Sequence, residues 1–154
     1  CGGMYEGNFN NLRTMMIYYN NTHVKAGDES RRAIEARQER EARERITEEF
    51  VALLSLDPDE GARWTGTVTD LMEATHIAYT QGTICDSEGN TCTFTQLVTG
   101  ICDTLHVKRP RNPAGCAYQA AQRKGVRKNS LIYRYMRQMF HSAVEKPLSS
   151  KVIK

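Results

Sequence analysis

The 154 residues suffice for one ordinary domain, or for a small domain with a helical extension, and the 40% of hydrophobic residues allows a single core. No run of eighteen apolar residues occurs, which excludes a membrane-spanning helix, and the first thirty residues lack the pattern of a secretory signal. The net charge of +3 conceals an asymmetry. Residues 1–103 hold 17 acidic and 9 basic side chains (−8), whereas residues 104–154 hold 12 basic side chains and one acid (+11).

The five cysteines are odd in number and come without a secretory signal. This usage favours free thiols in a reducing cytoplasm over a disulfide framework. The chain starts at Cys1 and its first methionine is Met4, so we expect a fragment or a processed chain. On these grounds the protein is expected to be cytoplasmic, with no membrane partner.

Residues 1–66 are predicted to form an N-terminal helical segment whose main element is a long charged helix over residues 28–56. Most side chains of this helix are Arg, Glu, Ala or Gln, which are strong helix formers. Two acidic–basic pairs have the i,i+4 spacing of surface ion pairs: Glu39 with Arg43, and Glu41 with Arg45. An apolar stripe predicts that the end of the helix packs against a core: Ile46, Phe50, Leu53 and Leu54.

A helical domain is predicted over residues 67–146, starting with a helix at about 70–81. Asp70 or Thr69 is expected to cap this helix, with Glu73 supplying a capping-box carboxylate. A turn between two short β-like pieces is expected to follow. The next helix begins at a Thr-x-x-Gln capping box and carries a periodic apolar stripe: Phe94, Leu97, Val98, Ile101 and Leu105.

Two further helices are predicted in the basic part of the chain. A rigid basic turn, Lys108-Arg109-Pro110-Arg111, leads to a helix over residues 112–124 that begins at an Asn-Pro pair. The last helix is expected over about 130–144, with Ser130 as its N-cap, and residues 147–154 are expected to be a flexible tail. The packing face of the 112–124 helix is expected to consist of Ala114, Ala117, Tyr118 and Ala121.

The basic part of the chain predicts a nucleic-acid-binding surface. No Asp or Glu occurs from Thr104 to Val144, and a stretch with charge of one sign attracts a polyanion. A buried amphipathic helix, a basic turn and an alanine-rich helix are typical of helix-turn-helix modules. The predicted fold is therefore mainly α, with a helix-turn-helix domain that binds duplex DNA without catalysis. The predicted contact residues are Lys108, Arg109, Arg111, Gln119, Gln122, Arg123, Lys124, Arg127, Lys128, Arg134 and Arg137.

Residues from about 70 to 140 resemble the C-terminal part of the RteC family, regulators of excision encoded on conjugative transposons. The matching features are Ala78 to Ile84 (AYTQGTI), a Gly-Asn turn, an amphipathic helix that runs to Val107, and Tyr118. An Arg123-Lys124-x-x-Arg127 step then precedes Leu131 and a helix with Met136 and Met139. The resemblance implies a winged-helix-like domain, a role in expressing element-mobility genes, and DNA contacts by Arg123, Lys124 and Arg127. The chain departs from the family in its Lys-Arg-Pro-Arg-Asn-Pro insertion and its four cysteines in this region, and residues before 70 show no match.

Other functions stay open from the sequence. RNA binding is one, because basic helices serve both nucleic acids and tyrosines stack on bases. Protein interaction or homodimerisation through the 28–56 helix is another. A zinc site is a third, since four candidate ligands lie within 22 residues: Cys85, Cys92, Cys102 and His106. An enzyme is not expected, because phosphate loops, GxSxG and HExxH motifs are absent, and no cofactor is expected.

Overall fold

The structure, a computed structural model, describes residues 26–123 and 129–154. The chain divides after Gln38, and its second unit comprises the described residues 39–123 and 129–154. The described residues are mainly helical, with one small antiparallel sheet. None of their helices is long and apolar enough to cross a bilayer. The α-helices are α1 (Ala26–Leu54), α2 (Val68–Gln81), α3 (Phe94–Thr104), α4 (Pro113–Ala121) and α5 (Leu131–His141), and the strands are β1 (Arg63–Trp64) and β2 (Val152–Ile153).

Helix α1 arranges its charged and apolar side chains as the sequence predicts. Both i,i+4 ion pairs are present, Arg43–Glu39 at 2.8 Å and Arg45–Glu41 at 3.3 Å. The core of the second unit includes four side chains of this helix: Ala42, Ile46, Phe50 and Leu53. The sequence places a domain boundary at residue 66, but residues 39–66 belong to the same compact unit as the rest of the chain, because this stripe is buried there.

Helix α2 lies at the centre of the second unit, where it contacts α3, α4 and α5. The helix begins at Val68, because the Thr67 hydroxyl caps it by accepting the N–H of Asp70 at 3.1 Å. It ends at Gly82, whose φ of 66° is the left-handed conformation that glycine adopts most readily. Eight of its fourteen residues are buried, so this helix is covered on most sides.

Glu73 is not a capping-box carboxylate of its own helix, as the sequence suggests, but caps another helix. Its carboxylate accepts the backbone N–H of Leu131 at 2.5 Å and so satisfies a free donor at the start of α5. Ser130, the predicted N-cap of α5, makes no side-chain capping bond. Glu73 does not form a capping box in α2 because this helix starts earlier than predicted, at Val68. Glu73 therefore lies beyond the first turn and its free N–H groups.

The last eight residues, predicted to be flexible, are folded. Pro147 and Leu148 are buried, and a short 3-10 helix covers Ser149–Lys151. Strand β2 then pairs antiparallel with β1. The paired residues are Arg63 with Ile153 and Trp64 with Val152. Residues 147–154 are therefore part of the second unit, because apolar side chains of this segment are buried there.

Buried Glu49 of α1 joins this C-terminal segment to the core. Its carboxylate accepts the N–H groups of Leu148 at 3.3 Å and Ser149 at 3.0 Å. The same carboxylate accepts the hydroxyl of Tyr135 on α5 at 2.5 Å. The pKa of the Tyr135 hydroxyl is raised far above its ordinary value. Burial is the larger cause, and the hydrogen bond to Glu49 is the next. One carboxylate thus connects three segments that are distant in sequence.

Candidate nucleic-acid interface

The basic turn between α3 and α4 is anchored at both ends. His106, with a left-handed φ of 55°, closes the end of α3. The Asn112 side chain accepts the N–H of Gly115 at 3.0 Å, and so starts α4 as the Asn-Pro pair predicts. Three basic side chains of the turn are exposed to solvent: Lys108, Arg109 and Arg111.

Helix α4 turns its larger side chains outward. Ala117 and Ala120 are buried, and α2 is the principal neighbour of the helix. The predicted packing face is therefore wrong for Ala114, Ala121 and Tyr118, which are exposed, Tyr118 by 68%. The packing of α4 against α2 selects the alanines at 117 and 120 instead. Two predicted base-contacting side chains, Gln119 and Gln122, are exposed as expected.

The basic side chains of this region have no acidic partner among the described residues. None of the ion pairs there involves Lys108, Arg109, Arg111 or Arg123. Arg109 Nη1 donates to the Thr99 hydroxyl at 2.8 Å, which orients its guanidinium. We use the name α4 surface for Lys108, Arg109, Arg111, Tyr118, Gln119, Gln122 and Arg123.

Arg134, predicted to contact nucleic acid, is paired inside the protein instead. Its Nη2 atom lies 2.5 Å from Asp70 Oδ1, and its Nε donates to the Asn129 carbonyl at 3.3 Å. Asp70 is buried, so the pairing offsets the cost of its charge in the interior. Arg137 is exposed on α5. Three other predicted contacts, Lys124, Arg127 and Lys128, lie outside the described residues.

An open cleft of about 490 Å³ adjoins the α4 surface. Phe94, Thr95 and Val98 of α3 form one part of its lining, and the rest comes from the chain between Arg109 and Ala114. Both charged side chains in this lining are arginines, Arg109 and Arg111. A lining whose two charges are both positive favours an anionic group.

An aromatic cluster beside this cleft was not predicted from the sequence. The ring centroids of His76 and Tyr79 on α2 lie 5.7 and 5.8 Å from that of Phe94, with edge-to-face angles of 76° and 63°. His76 is exposed and Tyr79 is 40% exposed, while Phe94 is half-buried and lines the cleft. The i,i+3 spacing of His76 and Tyr79 is visible in the sequence, but their approach to Phe94 requires the packing of α2 on α3.

The interior beneath α5 is rich in carboxylates. Asp70 also lies 3.6 Å from Lys151 Nζ, in addition to its ion pair with Arg134. Burial raises the pKa of the Glu73 carboxyl, and the N–H bond from Leu131 acts in the opposite direction. These acidic side chains support the position of α5.

The four candidate zinc ligands are not brought together. Among the residues that the structure describes, no three His, Cys, Asp or Glu side chains are placed to hold a metal ion. Cys85 is exposed on a turn, whereas Cys102 lies in the core, where burial raises the pKa of its thiol. His106 lies beyond the end of α3, and its Nε2 atom is 2.8 Å from the Pro58 carbonyl oxygen. Cys102 and His106 therefore do not share a helix.

Comparison of the chain with protein-family models, with curated proteins and with solved structures found no match. The geometry of the described residues is therefore the basis for any function assigned to the chain.

Proposed function

We propose that this chain binds duplex DNA through the α4 surface, as a regulatory protein without catalytic activity. The observation that supports this best is that Lys108, Arg109 and Arg111 in the turn before α4, and Arg123 just after it, have no acidic partner among the described residues. Basic side chains that stay unpaired are available to phosphates, and release of counterions from DNA then favours binding.

The dimensions of α4 suit the major groove. An α-helix with its side chains is about 10–12 Å across, which fits the roughly 12 Å width of that groove. Gln119 and Gln122 are exposed on this helix, and a glutamine amide can form two hydrogen bonds with an adenine edge. The basic turn precedes the helix and is in position to contact phosphates beside the groove.

In this proposal α4 acts as the recognition helix of a helix-turn-helix-like domain, with α2 as its support. The role of the protein in regulating a mobile element rests only on the local resemblance to the RteC family. By that resemblance Arg123, Lys124 and Arg127 would add DNA contacts at the end of the helix.

The first test is duplex binding across a salt series. We compare the intact chain with the double variant Lys108→Gln/Arg111→Gln, which removes two exposed charges from the turn. Each phosphate contact contributes about 0.9 to the slope of log K against log salt, so the slope should become shallower by about 1.8. The matched control is Arg40→Gln/Arg63→Gln, which removes two exposed charges from elsewhere in the same unit.

The control should keep the slope of the intact chain. Equal slopes for the two double variants would reject the α4 surface as the phosphate-contacting site. Failure of the intact chain to bind any duplex at low salt would reject the function itself.

A second test addresses sequence recognition by α4. The intact chain and Gln119→Ala/Gln122→Ala are each used to select duplexes from a random pool. We expect the intact chain to enrich sites with adenine at fixed positions and the variant to lose about 1–3 kcal/mol of discrimination at each such position. The salt slope of the variant should not change, because amides neutralise no phosphate.

A further inference from the structure

We infer that the cleft beside the α4 surface holds one unpaired nucleotide of a DNA strand, with its base against the cluster of His76, Tyr79 and Phe94. This inference rests on the proposed DNA binding and specifies which form of DNA the surface prefers. It predicts a preference for duplex DNA that contains an unpaired base, such as a bulge, over fully paired duplex.

The cleft supplies the two kinds of contact that a single nucleotide needs. Its volume of about 490 Å³ lies within the range of roughly 300–1,000 Å³ that is typical of small-ligand sites. Arg109, oriented by Thr99, and exposed Arg111 provide charge for a phosphate. Phe94 lines the same cleft and provides an apolar ring.

Two further aromatic side chains, His76 and Tyr79, lie against Phe94 of this cleft. Tyr79 is 40% exposed and His76 is exposed, although each is in contact with a half-buried phenylalanine. Aromatic side chains beside a positively charged groove are the usual means of holding unpaired bases, because every base has a face that stacks. Both lining arginines are without an acidic partner in the described part of the chain, so a strand phosphate would meet no competing carboxylate.

The test uses 2-aminopurine, a fluorescent adenine analogue that is quenched when it stacks. It is placed as a single-base bulge in one duplex and as a paired base in a second duplex of otherwise identical sequence. The intact chain should bind the bulged duplex about tenfold more tightly, in line with the stacking of one base on an aromatic side chain. Its binding should also quench the bulged base.

The variant His76→Ala/Tyr79→Ala should lose both the preference and the quenching, and should keep its affinity for the paired duplex. The control is Tyr133→Ala, because Tyr133 is a similarly exposed tyrosine (49%) on α5. The control should retain the preference for the bulge.

Equal affinity of the intact chain for the two duplexes, with no quenching, would overturn the inference and leave duplex binding intact. A preference that survives in His76→Ala/Tyr79→Ala would also overturn it, because the bulge would then be recognised elsewhere. Binding of neither duplex would overturn this inference together with the proposed function.

Discussion

Replacement of Glu49 by alanine is expected to destabilise the fold strongly, because its buried carboxylate is the shared acceptor for three donors. These are the Tyr135 hydroxyl at 2.5 Å and the N–H groups of Ser149 at 3.0 Å and Leu148 at 3.3 Å. A hydrogen bond to a charged group contributes about 1.5–3 kcal/mol, and the bond at 3.3 Å is the weakest of the three. We expect Glu49→Ala to lower the free energy of unfolding by about 4 kcal/mol.

The assay is urea denaturation followed by far-UV circular dichroism, with Glu48→Ala as the matched control. Glu48 is the adjacent residue on the same helix, but it is exposed and makes no such bonds. Its replacement should change the free energy of unfolding by no more than about 0.5 kcal/mol. If the two variants were equally stable, the network around Glu49 would contribute nothing and the reasoning would fail.

A double-mutant cycle with Tyr135→Phe separates the contribution of the hydroxyl. Tyr135→Phe removes one donor while keeping the ring in the core, so it should cost about 1–2 kcal/mol. In the Glu49→Ala background the same change should cost less, or even stabilise, because the hydroxyl already lacks its acceptor. Additive effects would show that the two groups do not interact.

Three other predictions concern carboxylate burial and the helix ends. Because burial raises the pKa of the Glu73 carboxyl above 4.5, the folded chain binds a proton more tightly than the unfolded chain. The resulting stabilisation of the intact chain is present below pH 4.5 and is lost as the pH rises through the raised pKa. Over this range, the free energy of unfolding of the Glu73→Gln variant should therefore rise relative to that of the intact chain. A difference in free energy of unfolding between the two proteins that stays constant with pH would contradict the raised pKa of Glu73. The free energy of unfolding of His106→Gly should exceed that of His106→Ala by about 1 kcal/mol, because both variants lose the ring and only glycine tolerates the left-handed backbone. Equal melting temperatures of the two variants would argue against backbone strain at this position. A methyl group at Gly115 would lie 2.4 Å from the Asn112 amide nitrogen, so Gly115→Ala should cost about 1 kcal/mol in the intact chain through loss of the cap. The same substitution should stabilise the Asn112→Ala variant, because alanine favours a helix once the cap is gone; a cost in both backgrounds would disprove the clash.

Local sequence signals predicted most of the helices and their starting points. The capping box of Thr93 and Gln96 is formed, with both of its hydrogen bonds at the start of α3. The Asn112 cap and the two i,i+4 ion pairs of α1 are also present. Such features depend on residues within four positions of one another, and their geometry is therefore encoded almost entirely in the local sequence.

Signals that depend on distant packing were not predictable. Asp70 and Glu73 have the spacing of helix-capping residues, but their partners are Arg134 and Leu131, about sixty residues later in the chain. The alanine face of α4 was misassigned for the same reason, since two alternative faces of small residues exist and the neighbouring helix α2 selects one. Phe94 was correctly predicted to pack, but its contacts with His76 and Tyr79 could not be inferred from one helix.

The asymmetry of charge along the chain has two origins, and only one of them concerns the α4 surface. Part of it is internal, because Arg134 and Lys151 pair with Asp70, and Lys154 pairs with Glu60. If internal pairing were the whole cause, the other basic residues of this region would also face carboxylates. Instead, the three basic residues of the turn and Arg123 just after α4 have no acidic partner in the described part of the chain, and these four lie within sixteen residues of one another. Unpaired charges of one sign repel one another, and an anionic partner relieves that repulsion. The unpaired fraction of the charge therefore supports the proposed binding of an anionic partner better than the total charge does.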